Sequence, residues 1–194
     1  MDISTDDVKA LREKTGVSIM QCKKALEEAN GDMEQAVVLL KKRAGAIAEK
    51  KADRELGAGS IAEYVHNNEV GALVHLSCET DFVSKNEDFV ALAREIAMQV
   101  AATDPKFVRD EEITEESREA AKKVFVEEVK DKPEDMQEKI LEGKMQSYFK
   151  DMVLMSQPYI KNGEKTIGDL ISEATQKFGE RIEITRIARF SVRG

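Results

Sequence analysis

No tryptophan occurs in this sequence, and aromatic residues make up only 5% of it. Acids outnumber lysine and arginine, 38 to 30, for a net charge of −8. Both features argue against nucleic acid as the main partner, because phosphates need concentrated cations and single strands need aromatic platforms. The basic cluster Lys41-Lys42-Arg43 with Lys50-Lys51 reads as a solvated helix face. Cysteine is limited to Cys22 and Cys78. Both fall on expected apolar faces, and nothing in their spacing asks for a bridge, which suits a reducing compartment. Met1-Asp2-Ile3-Ser4 has neither a basic start nor an apolar core of the secretory kind. No apolar run approaches the ~20 residues needed to cross a bilayer. The expectation is a cytoplasmic protein without membrane contact.

Chemistry-bearing motifs are equally scarce. No glycine-rich phosphate loop is present, so direct nucleotide binding is not expected. His66 and His75 have no cysteine or carboxylate at metal-ligand spacing, so neither a metal nor another cofactor is expected. The carboxylates read mostly as helix-surface charge, and no catalytic residue is assigned.

What is present is an informative polar loop. Val70, Ala72, Val74, Leu76 and Cys78 alternate with other residues, the period of a strand with one apolar face. Glu79-Thr80-Asp81-Phe82-Val83-Ser84-Lys85-Asn86 follows, and then Phe89, Ala93, Ile96, Ala97 and Val100 recur at helical spacing. Phe82 therefore sits on a strand-to-helix connection. It is either a plug folded onto the core or a side chain held out for a partner, and composition favours the plug.

Before this loop the chain predicts three short helices over residues 1–45. Ser4 to Asp7, Ser18 with Gln21, and Asp32 with Gln35 are their starts, while Gly16 and Asn30-Gly31 are stops. Val8 and Leu11, then Cys22, Ala25, Leu26 and Ala29, then Met33, Ala36, Val37 and Leu40 form inward stripes. Projected backwards, the second stripe runs through Ile19 and Ser18 and leaves Met20 beside Lys23, Lys24 and Glu27. Met20 is then either a contact point or a singly exposed methionine. Residues 46–58 read as a helical linker. A core over 59–194 follows, with strands at 60–66 and 70–78 joined by Asn67-Asn68.

Within that core, residues 113–152 predict a helical hairpin. Ala120, Ala121, Val124, Phe125 and Val129 line one helix; Met136, Ile140, Leu141, Met145, Tyr148, Phe149 and Met152 line the other. Asp131-Lys132-Pro133 joins them, with the proline in the second helix's first turn. A helix from Ile167 to Phe178 and a strand from Arg181 to Val192 close the chain. The strand's Ile182, Ile184, Ala188, Phe190 and Val192 share one parity. The order of elements predicts an α+β fold, a small antiparallel sheet covered by helices.

Several of these stretches carry a family resemblance. Thr15-Gly16-Val17-Ser18-Ile19-Met20-Gln21-Cys22-Lys23-Lys24-Ala25-Leu26, with Ala29-Asn30-Gly31-Asp32, resembles the opening of the bacterial elongation factor Ts family. Cys78-Glu79-Thr80-Asp81-Phe82-Val83 is similar to its second signature. Ile96 to Ala102, Glu142 to Met145, Ser156 to Tyr159 and Lys165 to Leu170 continue the match along nearly the whole chain. The resemblance implies a guanine-nucleotide exchange factor for elongation factor Tu. It implies that the Thr80-Asp81-Phe82-Val83 loop enters the GTPase near its nucleotide, where the aromatic ring wedges between side chains and dislodges Mg²⁺. Arg12, Met20 and Lys23 match the positions that dock the N-terminal unit on that GTPase. The acidic charge favours approach to a basic partner surface, less so at high salt.

The pattern departs from longer relatives in two places. One repeat of a duplicated core is missing, which implies that two chains associate into a homodimer. Residues 1–194 also hold no match to the additional C-terminal helical module of longer relatives, and the expectation is a larger share of binding for the N-terminal unit and the Phe82 loop. A second reading rests on the same opening: Gly16, Ala25-Leu26 and Gly31-Asp32 ahead of Ala36-Val37 are similar to ubiquitin-associated domains. On that reading the unit is a protein-docking module on a structural core, without exchange activity.

Overall fold

Local caps set the first helices in a computed structural model that describes residues 3–130 and 133–193. Ser4, Ser18 and Asp32 each accept a hydrogen bond from the backbone N–H three residues on, opening α1 (Thr5–Thr15), α2 (Ile19–Glu28) and α3 (Met33–Lys50). Leu11, Cys22, Leu26, Ala36 and Leu40 pack between them. Ile19 does not join this core as expected. The chain enters α2 through an extended Ser18, so buried Val17 takes the inward position and Ile19 is left 56% exposed. The expected linker is helical only to Lys50, where α3 ends, and Ala58 already belongs to the first strand.

β1 (Ala58–His66) and β2 (Val70–Cys78) form an antiparallel hairpin. Residues 67–69 connect them, with Asn67 and Asn68 left-handed at φ of 50° and 59° and the Glu69 N–H donating to the His66 carbonyl at 2.9 Å. A single turn, α4 (Asp81–Ser84), leads into α5 (Glu87–Thr103), whose Phe89, Ala93, Ile96, Ala97 and Val100 cover the inner face of β2.

α6 (Glu115–Val129) and α7 (Glu134–Met152) make the expected hairpin, with Ala121, Phe125, Met145 and Phe149 in its seam. Ala120 and Val124 were expected in that seam but are exposed, because two helices alone cover only a narrow stripe of each other. Pro133 stands at the N-cap of α7 rather than inside its first turn. Asp131 and Lys132 of the expected connection lie outside the described residues, as do positions 1, 2 and 194.

A small ribbon of β3 (Pro158–Tyr159) and β4 (Asn162–Thr166) follows, and the sequence pattern gives no sign of it. Buried Gln99 holds it, donating to Gln157 Oε1 and the Pro158 carbonyl and accepting from the Ile160 N–H. α8 (Ile167–Phe178) begins at a Thr166–Asp169 capping box and ends at Gly179, φ 71°.

β5 (Ile182–Ser191) pairs antiparallel with β2, giving the order β1-β2-β5. The fold is α+β, with helices on one face of this sheet. Ile182 and Ile184 reach the core, but the register shifts opposite His75 and Leu76. A one-residue bulge flips every later side chain to the other face. Phe190 and Val192, expected on the buried parity, therefore point outward, and Ile187 packs inward instead. Phe190 joins Ile61, Val65 and Leu73 on the outer face, all of them exposed.

Candidate functional site

The turn after β2 is built from both sides. Cys78 is buried, and its thiol donates to the Thr80 carbonyl at 3.2 Å. Burial, with the Glu180 carboxylate adding to it, pushes this thiol up to about 11, so it keeps its proton at neutral pH. Glu79 reaches across to β5: its Oε1 accepts from the Arg181 N–H at 2.6 Å, and the Arg54 guanidinium lies 3.2 Å from both carboxylate oxygens. Desolvation opposes the charged form of Glu79, but those bonds outweigh it and hold the carboxyl below the usual range.

Glu180 answers from the turn between α8 and β5. Its Oε2 accepts from the Glu79 N–H at 3.1 Å and the Thr80 N–H at 3.0 Å, while Oε1 accepts from the Thr80 hydroxyl at 2.6 Å. Thr80 is the N-cap residue of α4 yet makes no side-chain cap, because its hydroxyl is committed to Glu180.

From this footing α4 sorts its side chains. Val83 is 4% exposed and packs in the sheet core, whereas Phe82 is 82% exposed. The plug that composition favours is supplied by Val83, and the phenylalanine ring stands in solvent. Asp81 is exposed beside it, 2.7 Å from Lys85 Nζ. The ammonium's hydrogen bond and charge hold the Asp81 carboxyl below its ordinary value.

Arg12, Met20 and Lys23 lie apart from this loop, all exposed, Arg12 in the last turn of α1 and the other two on α2. Met20 is 83% exposed. Ile19 and Met20 precede Lys23 by four and three residues and so share its side of the helix. Ile19 thus enlarges the apolar point beyond what the stripe projection assigned. Among the described residues no hydrogen bond or ion pair joins this group directly to the Thr80–Val83 loop. The connection runs through α8: Gln176 Nε2 donates to Gln21 Oε1 at 2.8 Å, and Glu180 follows four residues later.

Among the described residues no group of three or more His, Cys, Asp and Glu could hold a metal ion. No helix of the described residues is long and apolar enough to cross a membrane. The arrangement offers contact chemistry: Phe82 on one side and Met20 with Ile19 on the other are apolar side chains held in solvent, each worth ~1.5–3 kcal/mol if fully buried against another surface.

The sequence model of a family described as Elongation factor TS matches residues 8–194. The chain is similar to Elongation factor Ts of Thermodesulfovibrio yellowstonii, 46% identical over 193 residues that cover 99% of this chain and 97% of that protein. It is 47% identical over 193 residues to Elongation factor Ts of Thermotoga maritima, covering 99% and 97%. With the protein of the same name from Koribacter versatilis the identity is 46% over 195 residues, covering 99% and 89%.

Proposed function

The chain belongs to the elongation factor Ts family of translation factors, and we propose on that premise that it is a guanine-nucleotide exchange factor for elongation factor Tu. The observation that carries the reading is Phe82, an exposed ring on a loop whose two flanks, Thr80 and Val83, are both anchored. The Thr80-Asp81-Phe82-Val83 loop enters the GTPase beside its nucleotide, and the ring wedges between partner side chains. That disturbance dislodges the Mg²⁺ holding the nucleotide phosphates. Arg12, Met20 and Lys23 dock the opening helices on the GTPase. The chain itself makes and breaks no covalent bond, binds no nucleotide, and works in the cytoplasm.

Linkage sets the energetic requirement. A factor that weakens nucleotide binding must bind the empty GTPase more tightly than the loaded one by the same factor. Couplings are typically ~1–3 kcal/mol, small against a tightly held nucleotide. The ring, the displaced metal and the docking contacts therefore act together.

Two copies associate through the outer face of the sheet. Ile61, Val65, Leu73 and Phe190 are exposed there, opposite a face that is buried under helices. Glu63, His75 and Arg186 share that face, and the apolar side chains among them are matched by a second copy of the same face, packed face to face.

The deciding experiment is release of labelled GDP from an elongation-factor-Tu-type GTPase. The chain is expected to accelerate it in a concentration-dependent way; an unchanged rate would remove the exchange role and leave a docking protein.

A further inference from the structure

We propose that Glu180 is the positioning residue of the Phe82 loop, an inference that rests on the exchange reading for its consequence but not for its geometry. Phe82 makes its way into solvent without support of its own, so its direction is inherited from what flanks it. On one side that is Val83, sunk in the core. On the other it is Thr80, and three hydrogen bonds fix Thr80 and its predecessor to one carboxylate. α4 has four residues, and its backbone bonds run from the Ser84 N–H to the Thr80 carbonyl and from the Lys85 N–H to the Asp81 carbonyl, each 3.2 Å, so the turn is oriented by how Thr80 is held.

The arrangement extends the sheet. Pairing of β2 with β5 ends at Cys78 and Ile182. Beyond it, Glu79 accepts the Arg181 N–H while Glu180 accepts the Glu79 and Thr80 N–H groups. Two side chains thus carry on where the backbone ladder stops, each capping the other strand. Glu180 is aimed there by the left-handed Gly179 before it and by Arg181 after it, whose Nη1 donates to the Arg54 carbonyl. Val83 fixes depth, and the Cys78 thiol holds the Thr80 carbonyl from the core side. Glu180 takes the remaining donors, two amides and the Thr80 hydroxyl, and so sets the orientation of the turn. In this clamp one planar group with two acceptor atoms takes all three donors, which fixes direction as well as distance.

The test compares wild type, Glu180→Gln and Glu180→Ala, measuring GDP release from an elongation-factor-Tu-type GTPase against concentration. Glutamine can keep all three contacts, its carbonyl oxygen accepting both amides and its NH₂ donating to the Thr80 hydroxyl oxygen, so its rate should stay near wild type. Alanine should lower the saturating rate on the order of tenfold to a hundredfold, since a misplacement of about an ångström can cost up to about a hundredfold. Its half-saturating concentration should move by less than about twofold, because the Met20 contact is untouched. Equal loss in both variants, or a change confined to half-saturation, overturns the proposal. Amide hydrogen exchange on the free chain is a second measurement that needs no partner. Protection of the Glu79 and Thr80 amides in wild type and in Glu180→Gln, lost in Glu180→Ala, supports the clamp. Unprotected amides in wild type overturn it, even if the alanine variant fails to fold. If wild type does not accelerate release, the exchange reading falls, and amide protection still decides the clamp.

Discussion

Gln176 and Glu180 lie four residues apart at the end of α8 and hold different parts of the molecule. Gln176 donates to Gln21, the neighbour of Met20, at 2.8 Å; Glu180 receives Thr80, two residues from Phe82. One helix end therefore sets the separation of the two proposed contact points. α3 packs along α8, and Lys51 Nζ donates to the Gly179 carbonyl at 2.6 Å, which stiffens the junction from a third direction. A factor that must touch a partner at two places at once gains from such a frame, since geometry decides whether both engage together.

Phe82→Ala is expected to lower the saturating rate of GDP release by about an order of magnitude or more, as loss of an interaction made in the rate-limiting state does. Because the ring is exposed, the folding free energy should shift by no more than about 0.5 kcal/mol. Val83→Ala is the contrasting variant, with a loss of about 1–3 kcal/mol from the vacated core. Denaturant titration beside the release assay separates the two.

Met20→Ala should act on affinity. Full burial of a methionine against a partner is worth ~1.5–3 kcal/mol, so the half-saturating concentration should rise roughly tenfold to a hundredfold with little change in the saturating rate. A loss confined to the saturating rate would remove Met20 from the docking surface.

Phe190→Asp should convert a dimer into a monomer, read by light scattering on the purified chain. The side chain is 73% exposed, so the helical signal and thermal midpoint of the isolated fold should change little. A wild-type mass of one chain would sink the proposed sheet-to-sheet contact.

These predictions differ in how far the sequence could reach them. α8 was legible to the residue, because Thr166, Asp169 and Gly179 act on their own immediate backbone. The buried parity of β2 was legible for the same reason, a local period of two. Phe190 was not: its face depends on a bulge created by pairing with β2, more than a hundred residues away. Phe82 was half legible, placed on its connection by neighbouring periodicity but given its direction only by what anchors Thr80 and Val83. Glu180 carried no signal, since an acid after a helix-ending glycine looks like surface charge until Thr80 is brought against it. The β3–β4 ribbon was silent because Gln99, a polar residue in a helix, supplies its hydrogen bonds.

Acid should destabilise the fold through Glu79. Glu79 loses some of its preference for charge through desolvation but regains more from the Arg181 N–H and the Arg54 guanidinium, so its folded carboxyl titrates below the ordinary range. A depressed folded value means that the unfolded chain binds the proton more readily. The stabilisation is thus fully present above the ordinary glutamate value of about 4.3 and is lost as pH falls through the folded one. Glu79→Gln removes this dependence. The thermal midpoint of wild type should exceed that of Glu79→Gln at pH 7, and the gap should close on going to pH 3. Glutamine can still accept from Arg181 N–H through its amide oxygen, so the part of the gap that disappears with acid reports the charge rather than the contact. A gap that stays constant across this interval would mean that Glu79 is held by shape alone, and the ion pair with Arg54 would then be a surface pairing without energetic weight.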